Sequence, residues 1–223
     1  AEVAAEMLEA NPADIECRKG KFYAQGTPEK YLPFNEVAAQ ANFSRHGAPV
    51  VGTGFYEPPT VLPDPKTKYG NISPAYPFAC QIAEVEVDAD TGQVTVTNFV
   101  GAHDVGRAIN PMATEGQIRG GVTQGLGWTL MENMAYENGK IINADFVDYI
   151  VPSALDVPDI KPILVEPIEP NGPYGAKGIG EPALNPTMSA ITNAIYDATG
   201  IRIKELPVSP EKILAELKKK GGM

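Results

Sequence analysis

Three glycines, a lysine and a glutamate stand together in Gly175-Ala-Lys-Gly-Ile-Gly-Glu-Pro-Ala183, where packing alone would favour apolar side chains. Gly175, Gly178 and Gly180 lack a Cβ, so the backbone there can take φ > 0 and turn its N–H groups towards a ligand. Glu181 ends the loop, and Pro182 biases it away from helical geometry, so the carboxylate is carried on a defined, extended bend. Such a segment suits close approach to a bound molecule. A tight connection with solvated charges would use the same residue types.

A second segment, Gly116-Gln-Ile-Arg-Gly-Gly-Val-Thr-Gln-Gly-Leu-Gly127, sharpens the reading. Ile118, Val122, Leu126 and Leu130 recur at helical spacing. They predict a helix despite glycines that each cost roughly 1 kcal/mol relative to alanine. Gln117 and Gln124 share one face, with Gly120 and Gly121 between them, which predicts a cleared patch flanked by two amides that donate and accept hydrogen bonds. A helix packed closely through small residues would also account for these glycines. Neither segment has the G-x-G-x-x-G or G-x-x-x-x-G-K-S/T order of the common nucleotide sites.

Four motifs in order carry a family resemblance. Asp104-Val-Gly-Arg-Ala-Ile-Asn-Pro111, the Gly116–Gly127 segment, Tyr149-Ile-Val-Pro-Ser-Ala-Leu-Asp156 and Gly175–Pro182 resemble the C-terminal part of the molybdopterin-binding subunit of the xanthine dehydrogenase and aldehyde oxidase family of molybdenum hydroxylases. The resemblance runs from about Phe78 to Leu217, and residues 1 to about 70 match weakly.

The resemblance implies an α+β fold of mixed sheets with hairpins and packed helices. It implies oxidation of an N-heterocycle, purine-like or nicotinate-like, or of an aldehyde, with water as oxygen source. The cofactor is molybdenum-molybdopterin, and the cytosine dinucleotide form is among those allowed. Carried over residue by residue, Glu181 is the general base, Gln117 hydrogen-bonds the pterin, and Lys177, Gly178, Ile179 and Gly180 present backbone groups to it. Lys177 is expected to help keep Glu181 anionic. No side chain here is implied as a metal ligand.

The family's remaining site segments have no counterpart in this chain. The partners implied are a chain bearing the N-terminal part of the molybdenum subunit and iron–sulfur and FAD subunits carrying a 2Fe–2S cluster and flavin. The chain is then a separate subunit or one domain of a longer polypeptide. A non-catalytic module that binds pterin or a partner chain is the alternative, and a hydroxybenzoyl-CoA reductase or CO dehydrogenase subunit is also compatible.

Composition bounds these readings. The 223 residues are 43% hydrophobic, enough for a proper core, and the net charge of −10 argues against nucleic acid and anionic membrane as partners. No run approaches the roughly 18 apolar residues of a membrane span, and a cytoplasmic location is expected. Cys17 and Cys80 are too few for an iron–sulfur cluster and are expected as buried or free thiols. His46 and His103 lack companions at ligand spacing and are expected in structural roles.

The positioning elements follow from pattern. Residues 1–77 are expected to be helical and extended, with helices over Ala1–Ala10, stopped by Asn11-Pro12, and over Phe34–Ala41, and a Pro/Gly-rich excursion over 47–77. Residues 78–223 are expected to form the molybdopterin-binding domain. A hairpin pairs Ile82–Val87 with Val94–Val100, Asn138-Gly139 turns a second, and Ile163–Val165 is a short buried strand. Asn185 is expected to cap a helix that starts at Pro186, buries Ile191, Ala194, Ile195 and Ala198, and stops before Gly200. A last helix from Ser209-Pro210 buries Ile213, Leu214 and Leu217, and Lys218–Lys220 complement its C-terminus.

Overall fold

A computed structural model describes residues 1–44 and 51–221, so His46 and the start of the 47–77 excursion lie outside the described residues. The chain divides into two units, Ala1–Tyr56 and Glu57–Met223.

In the first unit, helix α1 (Glu2–Leu8) stops at Glu9, which takes left-handed geometry at φ 52°. Asn11 does not end that helix. Its side chain accepts the Ala13 N–H and opens a single 3-10 turn at Pro12. Three short strands that the sequence pattern does not predict follow, β1 (Ile15–Arg18), β2 (Lys21–Ala24) and β3 (Tyr31–Pro33), in an antiparallel meander. The expected helix from Phe34 follows as α2 (Phe34–Ser44), three residues longer than the Phe34–Ala41 predicted. Val3, Ala4, Val37 and Ala41 form the core of this unit, with Ile15, Phe22 and Leu32 packed against them.

The second unit is built on a three-stranded sheet in the order β4-β5-β8. Strands β4 (Ala79–Val87) and β5 (Val94–Asp104) form the expected hairpin, and an irregularity at Glu84/Val85 leaves Thr97 of β5 unpaired. That extra residue lets Val96 on one side of it and Phe99, Gly101 and His103 on the other all face the core. Helix α3 (Pro111–Leu130) then leads past a small hairpin, β6 (Tyr136–Glu137) and β7 (Lys140–Ile141), to β8 (Asp159–Val165). Asn138 and Gly139, both at positive φ, make the turn between β6 and β7. Strand β8 pairs parallel to β5. It is not fully buried: Ile160 is 4% exposed but Ile163 and Val165 are 41% and 45% exposed, because only alternate residues face the helices.

Helix α4 (Thr187–Thr199) begins one residue later than expected, with Pro186 rather than Asn185 at its N-cap and no side-chain cap bond. Gly200 ends it in left-handed geometry. Ile191 and Ile195 are buried, whereas Ala198 is exposed. Helix α5 (Pro210–Gly221) buries Ile213, and Lys220 Nζ donates to Thr199 O at the end of α4. The core joins Val96, Phe99, Ile118, Val122, Leu126, Ile160, Ile191, Ile195 and Ile213. The result is α+β, a mixed sheet with helices against one face.

Candidate functional site

The site grows from the end of β5. Asp104 is the last residue of that strand, and its carboxylate accepts the Gly106 N–H at 3.1 Å. Gly106, at φ +59°, lies directly against the Gly175 carbonyl, and a Cβ at this position would fall 2.8 Å from Lys177 N. No side chain fits there, and positive φ disfavours one independently. This close approach lets two chain segments join: Arg107 N donates to Gly175 O at 2.7 Å and Lys177 N to Val105 O at 2.9 Å. The Asp104–Pro111 and Gly175–Ala183 motifs therefore meet as one backbone ladder.

Lys177 lies inside this junction. Its Nζ is 2.6 Å from Asp104 Oδ2 and 3.8 Å from Glu169 Oε2, and it donates to Tyr76 O at 3.2 Å. Both partners of the close pair are about one-tenth exposed. Burial works to raise the Asp104 carboxyl, but the bonds from Lys177 and the Gly106 N–H and the Lys177 charge outweigh it and hold the group below its ordinary value. The expectation that Lys177 supports Glu181 is thus corrected. Its ammonium answers Asp104 and Glu169, and its backbone N–H answers Val105. Sequence reasoning does not single out Asp104 or Glu169, although Asp104 stands in one of the four motifs.

Beyond Lys177 the loop opens. Only Gly175 takes positive φ, at +82°; Gly178 and Gly180 do not. Their value is space: a Cβ at either would meet nothing within 4 Å among the described residues. The N–H groups of Gly178, Ile179 and Gly180 have no hydrogen-bond partner among the described residues. Glu181 is exposed, and its side chain has no hydrogen bond or ion pair among the described residues. Its carbonyl accepts the Leu184 N–H at 3.0 Å, which turns the chain towards α4.

Helix α3 borders the same space. Asn110 caps it through the Ala113 N–H, with Pro111 in its first turn. Gln117 lines a cavity of about 260 Å3 together with Val105, Asn110, Ala113, Lys177 and Ile179. Two larger cavities among the described residues, about 540 and 560 Å3, are lined by none of the predicted site residues.

The glycines of α3 divide between two faces, which corrects the predicted patch. Gly116 and Gly120 lie on the open side with Gln117 and Gln124. Gly121 and Gly125 are buried: a Cβ would come 2.6 Å from Ala183 Cβ at the first and 2.6 Å from Thr187 Cβ at the second. Small-residue packing therefore accounts for one pair and leaves the other unexplained by packing.

His103 is buried at 1% exposure with its Nε2 3.0 Å from Gln81 Nε2, a structural placement as expected. Cys17 and Cys80 are both free, as expected, and exposed. Among the described residues no group of three or more His, Cys, Asp or Glu could hold a metal ion, and no helix is long and apolar enough to cross a membrane.

Comparison with known proteins places this geometry. The chain is 36% identical over 217 residues to the gamma subunit of the 6-hydroxypseudooxynicotine dehydrogenase complex of Paenarthrobacter nicotinovorans, covering 96% of this chain and 26% of the relative. It is 29% identical to the carbon monoxide dehydrogenase large chain of Afipia carboxidovorans, over 88% of this chain and 23% of that one. The crystal structure of quinoline 2-oxidoreductase from Pseudomonas putida 86 superposes with a TM-score of 0.73 at 33% identity, over 97% of this chain and 27% of that one. The chain thus spans about a quarter of the length of these relatives. A family model for the molybdopterin cofactor-binding domain matches residues 1–158, so the match includes the N-terminal stretch that carries no motif of its own. With that match and the two joined motifs at the end of β5, the chain belongs to the molybdopterin cofactor-binding domain family.

Proposed function

We propose that this chain supplies part of the active site of a molybdenum hydroxylase that oxidises an N-heterocycle with water as the oxygen source. Glu181 carries the reading. It is a glutamate with no partner among the described residues, at the end of three consecutive N–H groups that also lack one, in a loop whose preceding residues are tied to β5.

The donor set fits a large polar cofactor. The N–H groups of Gly178, Ile179 and Gly180 and the amide of Gln117 offer both donors and an acceptor, and the open glycines at 116, 120, 178 and 180 allow close approach. When bound, the molybdenum cofactor supplies the two-electron oxidation. The residues of this chain hold and orient it, and Glu181 takes up a proton as general base. The cytosine dinucleotide form is part of the proposal, and Lys177 braces the loop instead of contacting the pterin.

The cavity of about 260 Å3 is smaller than the roughly 300–1,000 Å3 typical of a site that encloses a ligand, so this chain supports one wall of the site. The rest comes from the part of the relatives' length that this chain does not span, with 2Fe–2S and FAD subunits completing a cytoplasmic complex. The names of two relatives, a 6-hydroxypseudooxynicotine dehydrogenase and a quinoline oxidoreductase, favour an N-heterocycle over an aldehyde.

The test is Glu181→Gln in the assembled complex. Turnover is expected to fall at least about 100-fold with molybdenum and pterin content unchanged. A kcat within about a factor of two of the parent at equal metal content would overturn the base assignment.

A further inference from the structure

The loop bearing Glu181 is held at its far end by the Gln81 amide, with the Thr187 hydroxyl 3.0 Å from the same Ala183 carbonyl. Gln81 is the polar member of the inward-facing series Gln81, Ala83, Val85 and Val87 on β4. Its Nε2 donates to Ala183 O at 2.8 Å, and its Oε1 accepts from Thr187 Oγ1 at 2.7 Å. The second Nε2 hydrogen faces His103 Nε2 at 3.0 Å, which makes that nitrogen the acceptor and places the imidazole hydrogen on Nδ1. Gln81 is thus oriented from three directions.

Ala183 is fully buried, two residues beyond Glu181, and Pro182 between them restricts the chain. Its Cβ also lies where Gly121 leaves room for it. The carboxylate of Glu181 has no hydrogen bond or ion pair to fix it among the described residues, so its location is inherited from the backbone on either side. On one side stand Lys177 and the Gly106 junction; on the other stands Gln81.

We propose that Gln81, braced by Thr187 and His103, is a positioning residue for Glu181. This rests on the reading of Glu181 as the base. A base displaced by about 1 Å can lose on the order of 100-fold in rate, so a partial release of the loop is expected to lower turnover without emptying the site.

The experiment is a double-mutant cycle in the assembled holoenzyme. Gln81→Leu keeps the bulk and removes the amide. It is expected to lower kcat about tenfold, with KM, molybdenum and pterin within about twofold of the parent. Hydrogen exchange of the peptide spanning residues 178–186 is expected to quicken several-fold while that of α5 stays at the parent rate. In the Glu181→Gln background the same substitution is expected to add less than about a twofold loss, because it acts through a carboxylate already removed. Thr187→Val, which deletes only the hydroxyl, is expected to give the same pattern at about threefold and serves if Gln81→Leu does not fold.

An equal loss from Gln81→Leu in both backgrounds would mark a merely structural residue and overturn the proposal. So would parental turnover and exchange in Gln81→Leu beside a large loss in Glu181→Gln. Parental turnover in Glu181→Gln itself would overturn the base assignment and this inference with it.

Discussion

Lys177 Nζ lies 2.6 Å from Asp104 Oδ2, a pair about one-tenth exposed that joins the glycine-rich loop to the last residue of β5. The cation inside the loop thus serves architecture. Removing it as Lys177→Met leaves the Asp104 carboxylate buried beside Glu169 with no counter-charge. The expected cost is about 3 kcal/mol of stability in the second unit, measured by urea unfolding. Asp104→Asn, which keeps the acceptor oxygen and the shape, is expected to cost less.

The two faces of α3 give opposite outcomes for adjacent substitutions. Gly121→Leu must displace Ala183, whose Cβ would lie 2.6 Å from the new Cβ, and is expected to cost about 2 kcal/mol or more by overpacking. At Gly120 a Cβ meets nothing within 4 Å among the described residues, and Gly120→Leu replaces a poor helix former, so the fold is expected to gain up to about 1 kcal/mol. Pterin content of the assembled complex is expected to fall for Gly120→Leu, because the new side chain occupies the open face beside Gln117. Thermal unfolding and pterin assay together check the pair.

His103 ties stability to pH in one direction. Burial pushes its imidazole below the ordinary value of 6.5, and its Nδ1 is buried with no hydrogen-bond partner among the described residues. Above the unfolded value the ring is neutral in both states and stability is fully present. As pH falls below 6.5 the unfolded chain takes up a proton that the folded chain resists, so stability is lost as pH falls towards the depressed folded value. His103→Gln is expected to flatten the stability profile between pH 6.5 and about 5, where carboxylates begin to titrate. Denaturant midpoints across that window check it.

The elements around the site are legible because their signals are local. The series Ile118, Val122 and Leu126 fixes both the existence of α3 and its buried face, and all three are at most 1% exposed. Alternation along β4 and β5 predicts the hairpin, and Gly200 the end of α4. Gln81 could have been found the same way, since a lone glutamine in an inward-facing valine and alanine series demands a partner. Lys177 could not be assigned: Asp104 lies 73 residues away, while Glu181 stands four residues on and offers the nearer, wrong answer. Which of Gly120 and Gly121 faces out depends on where α4 packs, and neighbours on a helix differ by about 100°. In the first unit each strand has three or four residues, too few for alternation to stand out.

The five glycines of α3 also bear on how the chain reaches this fold. At about 1 kcal/mol each they withdraw roughly 5 kcal/mol of helical preference from one segment, more than its local sequence can restore. Helicity there must come from long-range contacts, chiefly with β8 and α4. A peptide of residues 111–130 is therefore expected to show almost no helical circular dichroism. In refolding, amides of α3 should gain protection together with those of β8 and α4, not ahead of them, which pulsed hydrogen exchange would resolve.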